Sequence, residues 1–247
     1  MRTHWAVRAL TQAAVAWGLI RSVSKSTVAR WLSQAQLKPH RVRRWLHSPD
    51  PEFRKKVHSI VRLYVRPPRG ARVICADEKT QQQILERVHP ARPMAAGQPT
   101  RLEQTYRRHG VVAILAGLDV RTGRVVVRVR RRRRHQEFLA LLRALRRRWP
   151  RGKLVIVVDN LSIHTPLKVR AWVAAQAGRV RLEFLPVHAS WLNQIELWFS
   201  LLERQCLKRA SLQTFVQMAA RIARFTAHWN KMARPFRWTF KGYPLQR

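Results

Sequence analysis

The chain has 247 residues, and 50 Lys and Arg against 12 Asp and Glu give it a net charge of +38 and a sequence pI near 12.0. Arginines outnumber lysines 40 to 10; their planar forks take phosphate oxygens two at a time, so nucleic acid is the expected partner. A disordered polycation is excluded by composition: 46% of residues are apolar, ten are Trp, and only 9 Gly and 13 Pro are present, so the chain can bury a core.

No run of about 18 uncharged apolar residues predicts a membrane span, and the N-terminus lacks the ordered parts of a secretory leader, so an intracellular protein without a membrane partner is expected. An anionic lipid surface is the weaker reading of the charge, since no lipidation signal accompanies it. Cys75 and Cys206 have no CxxC or His-rich neighbourhood and read as small core residues rather than disulfide or zinc positions.

In chain order, apolar periodicity predicts helices over residues 4–20 and 26–37, separated by Arg21-Ser22-Val23-Ser24-Lys25. The hydroxyl-rich start of the second helix suits an N-cap. The pair reads as a helix-turn-helix, with Ser26, Thr27 and Arg30 towards DNA and Lys38, Arg41, Arg43 and Arg44 on its backbone; an ordinary helical hairpin is the plainer alternative. Ser48-Pro49-Asp50-Pro51 breaks the pattern near residue 50. A connecting helix over 52–65 and the Pro67-Pro68-Arg69-Gly70 cluster then make residues 51–70 a linker.

From residue 71 short apolar runs predict strands over 72–76, 111–118, 125–129, 154–158 and 180–185, with a turn at Asp119 to Arg124 joining the second to the third. Helices are expected over 137–149, 166–176, 190–209 and 211–230. A three-stranded antiparallel start followed by βαβ crossovers argues a mixed sheet covered by helices, an α/β fold over residues 71–247. Arg130, Arg131, Arg132, Arg133 and Arg134 form one unbroken run. It reads as a phosphate-gripping loop, with a merely solvated loop as the alternative.

Most of the twelve acids have structural readings: Asp50, Glu52 and Glu137 at helix starts, Asp119 in a turn, Glu86 and Glu103 in an irregular insertion. Asp77 and Asp159 end the first and fourth strands, and Glu196 lies among apolar and aromatic residues of a helix. If those strands are adjacent and parallel, both aspartates emerge at the sheet end where ligands bind in open α/β folds. Three clustered carboxylates repel unless cations intervene, and oxygen ligands favour Mg²⁺ or Mn²⁺. Two such ions would suit in-line phosphodiester displacement. Strand-end aspartates also serve simply as caps of the next helix. Trp191, Trp198, Trp229 and Trp238 read as core, with base stacking the minority reading.

The stretches Cys75-Ala76-Asp77-Glu78-Lys79-Thr80, Val158-Asp159-Asn160-Leu161-Ser162-Ile163-His164 and His188 to Phe199, with Trp191-Leu192-Asn193-Gln194-Ile195-Glu196 inside it, resemble the three catalytic blocks of IS630-family transposases. That family lies within the Tc1/mariner group of DDE transposases, and the 36 residues between Asp159 and Glu196 suit its short second spacing. The resemblance runs from about Trp5 to Tyr243 and implies an RNase H-like core. It also implies a cut-and-paste transposase that cleaves double-stranded DNA at terminal inverted repeats and joins the 3′-ends to target DNA, with a preference for TA.

In this family Asp77, Asp159 and Glu196 would hold two Mg²⁺ or Mn²⁺ ions, with Asn160, His164 and Asn193 orienting them from behind. His164 equally suits a cap of the next helix. Glu78, on the other face of a continuing strand, is assigned no ligand role. A homodimer on DNA, a bacterial cytoplasmic setting and no small-molecule substrate are further implications. Members usually carry another helix-turn-helix upstream, and this chain starts about where the second one would, which implies partial recognition of the repeats. The rival expectation is a truncated, non-catalytic DNA-binding remnant.

Overall fold

The computed structural model describes residues 5–39 and 48–240; Arg41, Arg43 and Arg44 lie outside them. Contacts divide the chain into two units, Met1–His47 and Ser48–Arg247. In the first, α1 (Val7–Ala16) and α2 (Lys25–Gln34) are shorter than the periodicity predicts. Ser24 caps α2 by accepting from the Thr27 amide, 3.1 Å. Trp5 meets Trp17 edge to face, with centroids 5.7 Å apart. Val28 is the one buried residue of these two helices.

The second unit begins with α3 (Phe53–Val65). Its Val57, Ile60, Val61, Leu63 and Tyr64 are buried in the main core. The expected linker helix is therefore part of this unit: its apolar stripe, spaced for one face, packs on the sheet. The sheet has five strands in the order β3-β2-β1-β4-β5: β1 (Ala71–Arg87), β2 (Tyr106–Asp119), β3 (Val125–Arg130), β4 (Lys153–Val158) and β5 (Val180–Phe184). The first three pair antiparallel, and β1 pairs parallel to β4, as does β4 to β5.

Alternation along β1 sends Val73 and Cys75 to one face and Ile74 and Ala76 to the other, and both faces are covered. That is why these segments read as unbroken apolar runs. One face packs against α3, α6 (Ile195–Leu202) and α7 (Phe215–Met232), the other against α4 (His135–Arg148) and α5 (Leu167–Ala174). Trp198 of α6 and Phe138 of α4 are among the largest fully buried side chains.

Several expectations are corrected. β1 runs eleven residues past Ala76, so Asp77 lies within a strand, paired to Ala116. Apart from Ile84 and Leu85, residues 78–87 are polar because this extension of the hairpin is only partly covered, so burial periodicity does not mark it. Glu86 accordingly sits in β1, opposite Arg107, and its carboxylate accepts from His109 and Gln213. The single helix expected over 190–209 is a 3₁₀ turn (Ser190–Leu192), then α6, then a π-helical segment (Glu203–Leu207). Trp191 is 43% exposed rather than core, meeting Phe240 edge to face.

The turn from Asp119 to Arg124 holds as expected, closed by Asp119 N–H to the Arg124 carbonyl, 2.8 Å. Its Gly123 has φ +71°, and an added Cβ would run into the Arg234 carbonyl. The Asp119 carboxylate is fully buried and paired with Arg72. On the edge of β3, Asn230 of α7 takes the Val125 amide and returns a bond to its carbonyl, both 2.8 Å. Among the described residues no helix is long and apolar enough to cross a membrane.

Candidate active site

Parallel pairing of β1 with β4 brings Asp77 and Asp159 to neighbouring positions at one end of the sheet. Asp77 projects to the face covered by α6, in line with Cys75, and Glu196 stands in the first turn of that helix. Asp77 is buried and its carboxyl is pushed up to about 7. Burial is the main cause, with the carboxylates of Asp159, Glu78 and Glu196 adding repulsion. Glu196 is also raised by burial and by Asp159, while Lys79 pulls it back.

Two further residues fix this geometry. Asn193 is 1% exposed and its Nδ2 donates both to the Ala76 carbonyl, 3.0 Å, and to Asp77 Oδ2, 3.1 Å. Asp77 Oδ1 takes the Glu78 amide at 2.7 Å. On the other face His164 lies buried against Phe138, ring centroids 4.3 Å apart. Its Nδ1 meets Asp159 Oδ1 and the Asp159 carbonyl, each at 3.0 Å, and its Nε2 meets Glu78 Oε1, also 3.0 Å.

All three partners of the ring are oxygens that accept, so both nitrogens donate. Although burial disfavours the charged ring, the hydrogen bonds to Asp159 and Glu78 lift it to about 10. His164 is thus a strut under Asp159 and does not cap α5. Asn160 does not touch the carboxylates: its Nδ2 donates to the Leu185 carbonyl and ties the loop after β4 to the end of β5.

Sequence reasoning set Glu78 aside because it faces away from Asp77. Its direction is as expected, yet through His164 it supports Asp159 from behind. The signal that could have found it was the parity of the strand, which aims Glu78 at the face where residues following Asp159 must lie. Lys79, two positions after Asp77, returns to the α6 side and pairs with Glu203, Nζ to Oε2 3.3 Å.

The donor set is all carboxylate oxygen, which suits Mg²⁺ or Mn²⁺ rather than a soft metal, and the repulsion within it is what a divalent cation relieves. By chemistry the residues fit such an ion. Among the described residues, no three His, Cys, Asp or Glu side chains already close around a single point.

Of the basic candidates, Ser26 and Thr27 are engaged at the start of α2, where the Ser24 hydroxyl lies 2.8 Å from each of their hydroxyls. Arg30 and Lys38 are exposed. The arginine run is not uniform, and one of its members is paired with an acid. Arg134 grips Glu137 through Nε, 3.2 Å, and a terminal nitrogen, 2.8 Å, in a capping box at the start of α4. The Arg131 guanidinium lies 4.8 Å over the Phe215 ring. Arg130 bonds the Val129 carbonyl, and Arg132 and Arg133 are exposed.

A five-stranded mixed sheet between helical layers, with acids from two adjacent parallel strands and a helix at one end, defines an RNase H-like nuclease fold. The chain belongs to the family described as DDE superfamily endonuclease, whose model matches residues 72–219, more than half the sequence. Among solved structures it is similar to the Mos1 mariner paired-end complex with Mn, at 16% identity, covering 92% of this chain and 73% of that one, TM-score 0.59. It is also similar to the Mos1 transposase paired-end complex with left transposon end, at 16% identity, 92% and 72% coverage, TM-score 0.57. The catalytic domain of Mos1 mariner transposase alone matches at 14% identity, 76% and 85% coverage, TM-score 0.51. These likenesses are of fold. No curated protein matches.

Proposed function

We propose that this chain is a metal-dependent DNA transposase of the IS630 type, cleaving DNA at the ends of its element and joining the freed 3′-hydroxyls to target DNA at TA. The observation that supports this most is the mutual repulsion among Asp77, Asp159 and Glu196 at the sheet end of a DDE-family endonuclease. Residues 1–50 would serve as a helix-turn-helix region and the RNase H-like unit, with α3 built into it, as the catalytic domain. Solved relatives by fold are titled as Mos1 complexes with a transposon end and with Mn, which agrees with DNA and a divalent ion as partners here.

In this reading Asp77, Asp159 and Glu196 hold two Mg²⁺ or Mn²⁺ ions. Bound there, the ions would activate water and then the 3′-hydroxyl, and stabilise charge on the reacting phosphate. The chain's own groups keep the carboxylates in place: Asn193 holds Asp77 against the strand, and His164, backed by Glu78, holds Asp159. Arg30 and Lys38, with Arg41, Arg43 and Arg44, and the exposed Arg132 and Arg133 supply backbone contacts whose strength falls with salt. Two DNA ends need two active sites, so a homodimer on DNA is part of the proposal.

The test is strand cleavage and joining on labelled DNA carrying the element's terminal repeats, with Mg²⁺, with EDTA, and with Asp159→Ala. Metal-dependent cleavage lost in the variant is expected. Salt-sensitive binding with no cleavage under any metal would instead make the chain a DNA-binding remnant.

A further inference from the structure

Beside Glu196 the surface opens into a cleft of about 430 Å³ lined by Lys79, Glu196, Phe199, Ser200, Glu203 and Arg204. Its volume lies in the range of pockets that hold ligands of nucleotide size. Lys79 reaches it because strand parity returns residue 79 to the face of Asp77, where it pairs with Ile114. Glu203 reaches it because α6 passes there into its π-helical segment, whose widened turn is held by the Lys208 amide on the Glu203 carbonyl, 2.8 Å. Such turns recur at functional sites. In a chain with 50 cationic side chains and 12 acidic ones, Glu203 is spent on a half-exposed lysine next to the carboxylate cluster, with exposed Arg204 following it.

An ion pair this exposed contributes little to stability, so stability does not account for it. A carboxylate and a phosphodiester are both oxyanions and compete for the same ammonium. We propose that this cleft binds the backbone of the DNA strand leading into the active site: one phosphodiester displaces Glu203 from Lys79, and Arg204 contacts the same stretch. Glu203 then acts as an internal competitor that occupies Lys79 until DNA arrives. The inference rests on the reading of this domain as DNA-processing and adds where the strand lies and what it must displace.

Binding of a fluorescent single-stranded oligonucleotide and of a nicked duplex, measured by anisotropy on the full chain in EDTA, separates the contact from any chemistry. K79Q is expected to bind about fivefold more weakly and to lower the salt slope for the single strand by about 0.7. E203Q, which frees Lys79, is expected to bind about fivefold more tightly, and the gain should vanish in K79Q/E203Q. E52Q is the matched control, since it removes the acid of an exposed pair with Lys55, 3.1 Å, elsewhere. Equal tightening by E52Q and E203Q, or a gain from E203Q that persists without Lys79, would overturn the cleft as a strand site while leaving the DNA-processing reading intact. Failure of the unaltered chain to bind either DNA would overturn that reading, and the inference with it.

Discussion

Replacing Asp77 by Asn should stabilise the metal-free fold as pH rises. The folded chain holds the Asp77 proton to about pH 7, against 3.8 for an ordinary aspartate. Between those values the folded state binds more protons than the unfolded one, so stability falls with rising pH, by up to about 1.36 kcal/mol per unit. The accumulated loss is at most about 4 kcal/mol above pH 7. Asparagine has no such proton to lose. It keeps an acceptor for the Glu78 amide but turns an amide nitrogen towards the donating Nδ2 of Asn193, an offset of about 1 kcal/mol that does not change with pH.

The diagnostic is therefore the slope. Urea unfolding in EDTA, followed by Trp fluorescence at pH 5, 6, 7 and 8, should show the variant gaining on the unaltered chain up to about pH 7 and the gap levelling off above it. His164 titrates in both proteins and largely cancels in the difference, whereas Glu196, coupled to Asp77, shifts with the substitution and contributes to the slope. Millimolar Mn²⁺ should narrow or reverse the gap, because a cation stabilises the carboxylate and not the amide. Stability curves that run parallel from pH 5 to 8 would refute the claim that Asp77 is held protonated by burial and its acidic neighbours.

His164→Asn removes the strut under Asp159 and should weaken Mn²⁺ binding, read by calorimetry, about tenfold, with a stability loss of about 1–3 kcal/mol from unpaired buried groups. Trp198→Ala empties the centre of the α6 face and should cost about 3–5 kcal/mol in urea unfolding. Gly123→Ala meets both a positive φ and the Arg234 carbonyl, so a loss above about 2 kcal/mol is expected in the same assay. Arg134→Ala removes the partner of Glu137 at the start of α4 and should lower the midpoint of urea unfolding slightly, whereas Arg132→Ala should leave stability unchanged and weaken DNA binding in a salt-dependent way.

The sequence made the sheet legible where both faces are buried. Ile74 to Ala76, Leu115 to Leu118 and Leu154 to Val158 announce themselves as apolar runs, whereas the pairing of β1 with β4, only a condition in the sequence, is supplied by the structure. It hid what burial does not mark: the polar extension of β1 and the passage of α6 into a π-helical turn at Glu203. The acids of the site were legible because only twelve exist and three follow or interrupt apolar stretches. Their supports were less so, since Glu78 and His164 meet across 86 positions through side-chain direction alone. The pairing of Arg134 with Glu137 was within reach, at a spacing of three on a helix start.

The adjacency of β1 and β4 also sets when the site comes into existence. β1 first closes a local hairpin with β2, so Asp77 can be ordered early while its other edge stays bare. β4, which brings Asp159, arrives only after β3 and α4 have been made, and Glu196 follows later still. Contacts between distant segments form last and slowly, and during synthesis the N-terminal parts emerge first. A chain still leaving the ribosome therefore carries much of its basic surface well before it carries an assembled carboxylate cluster.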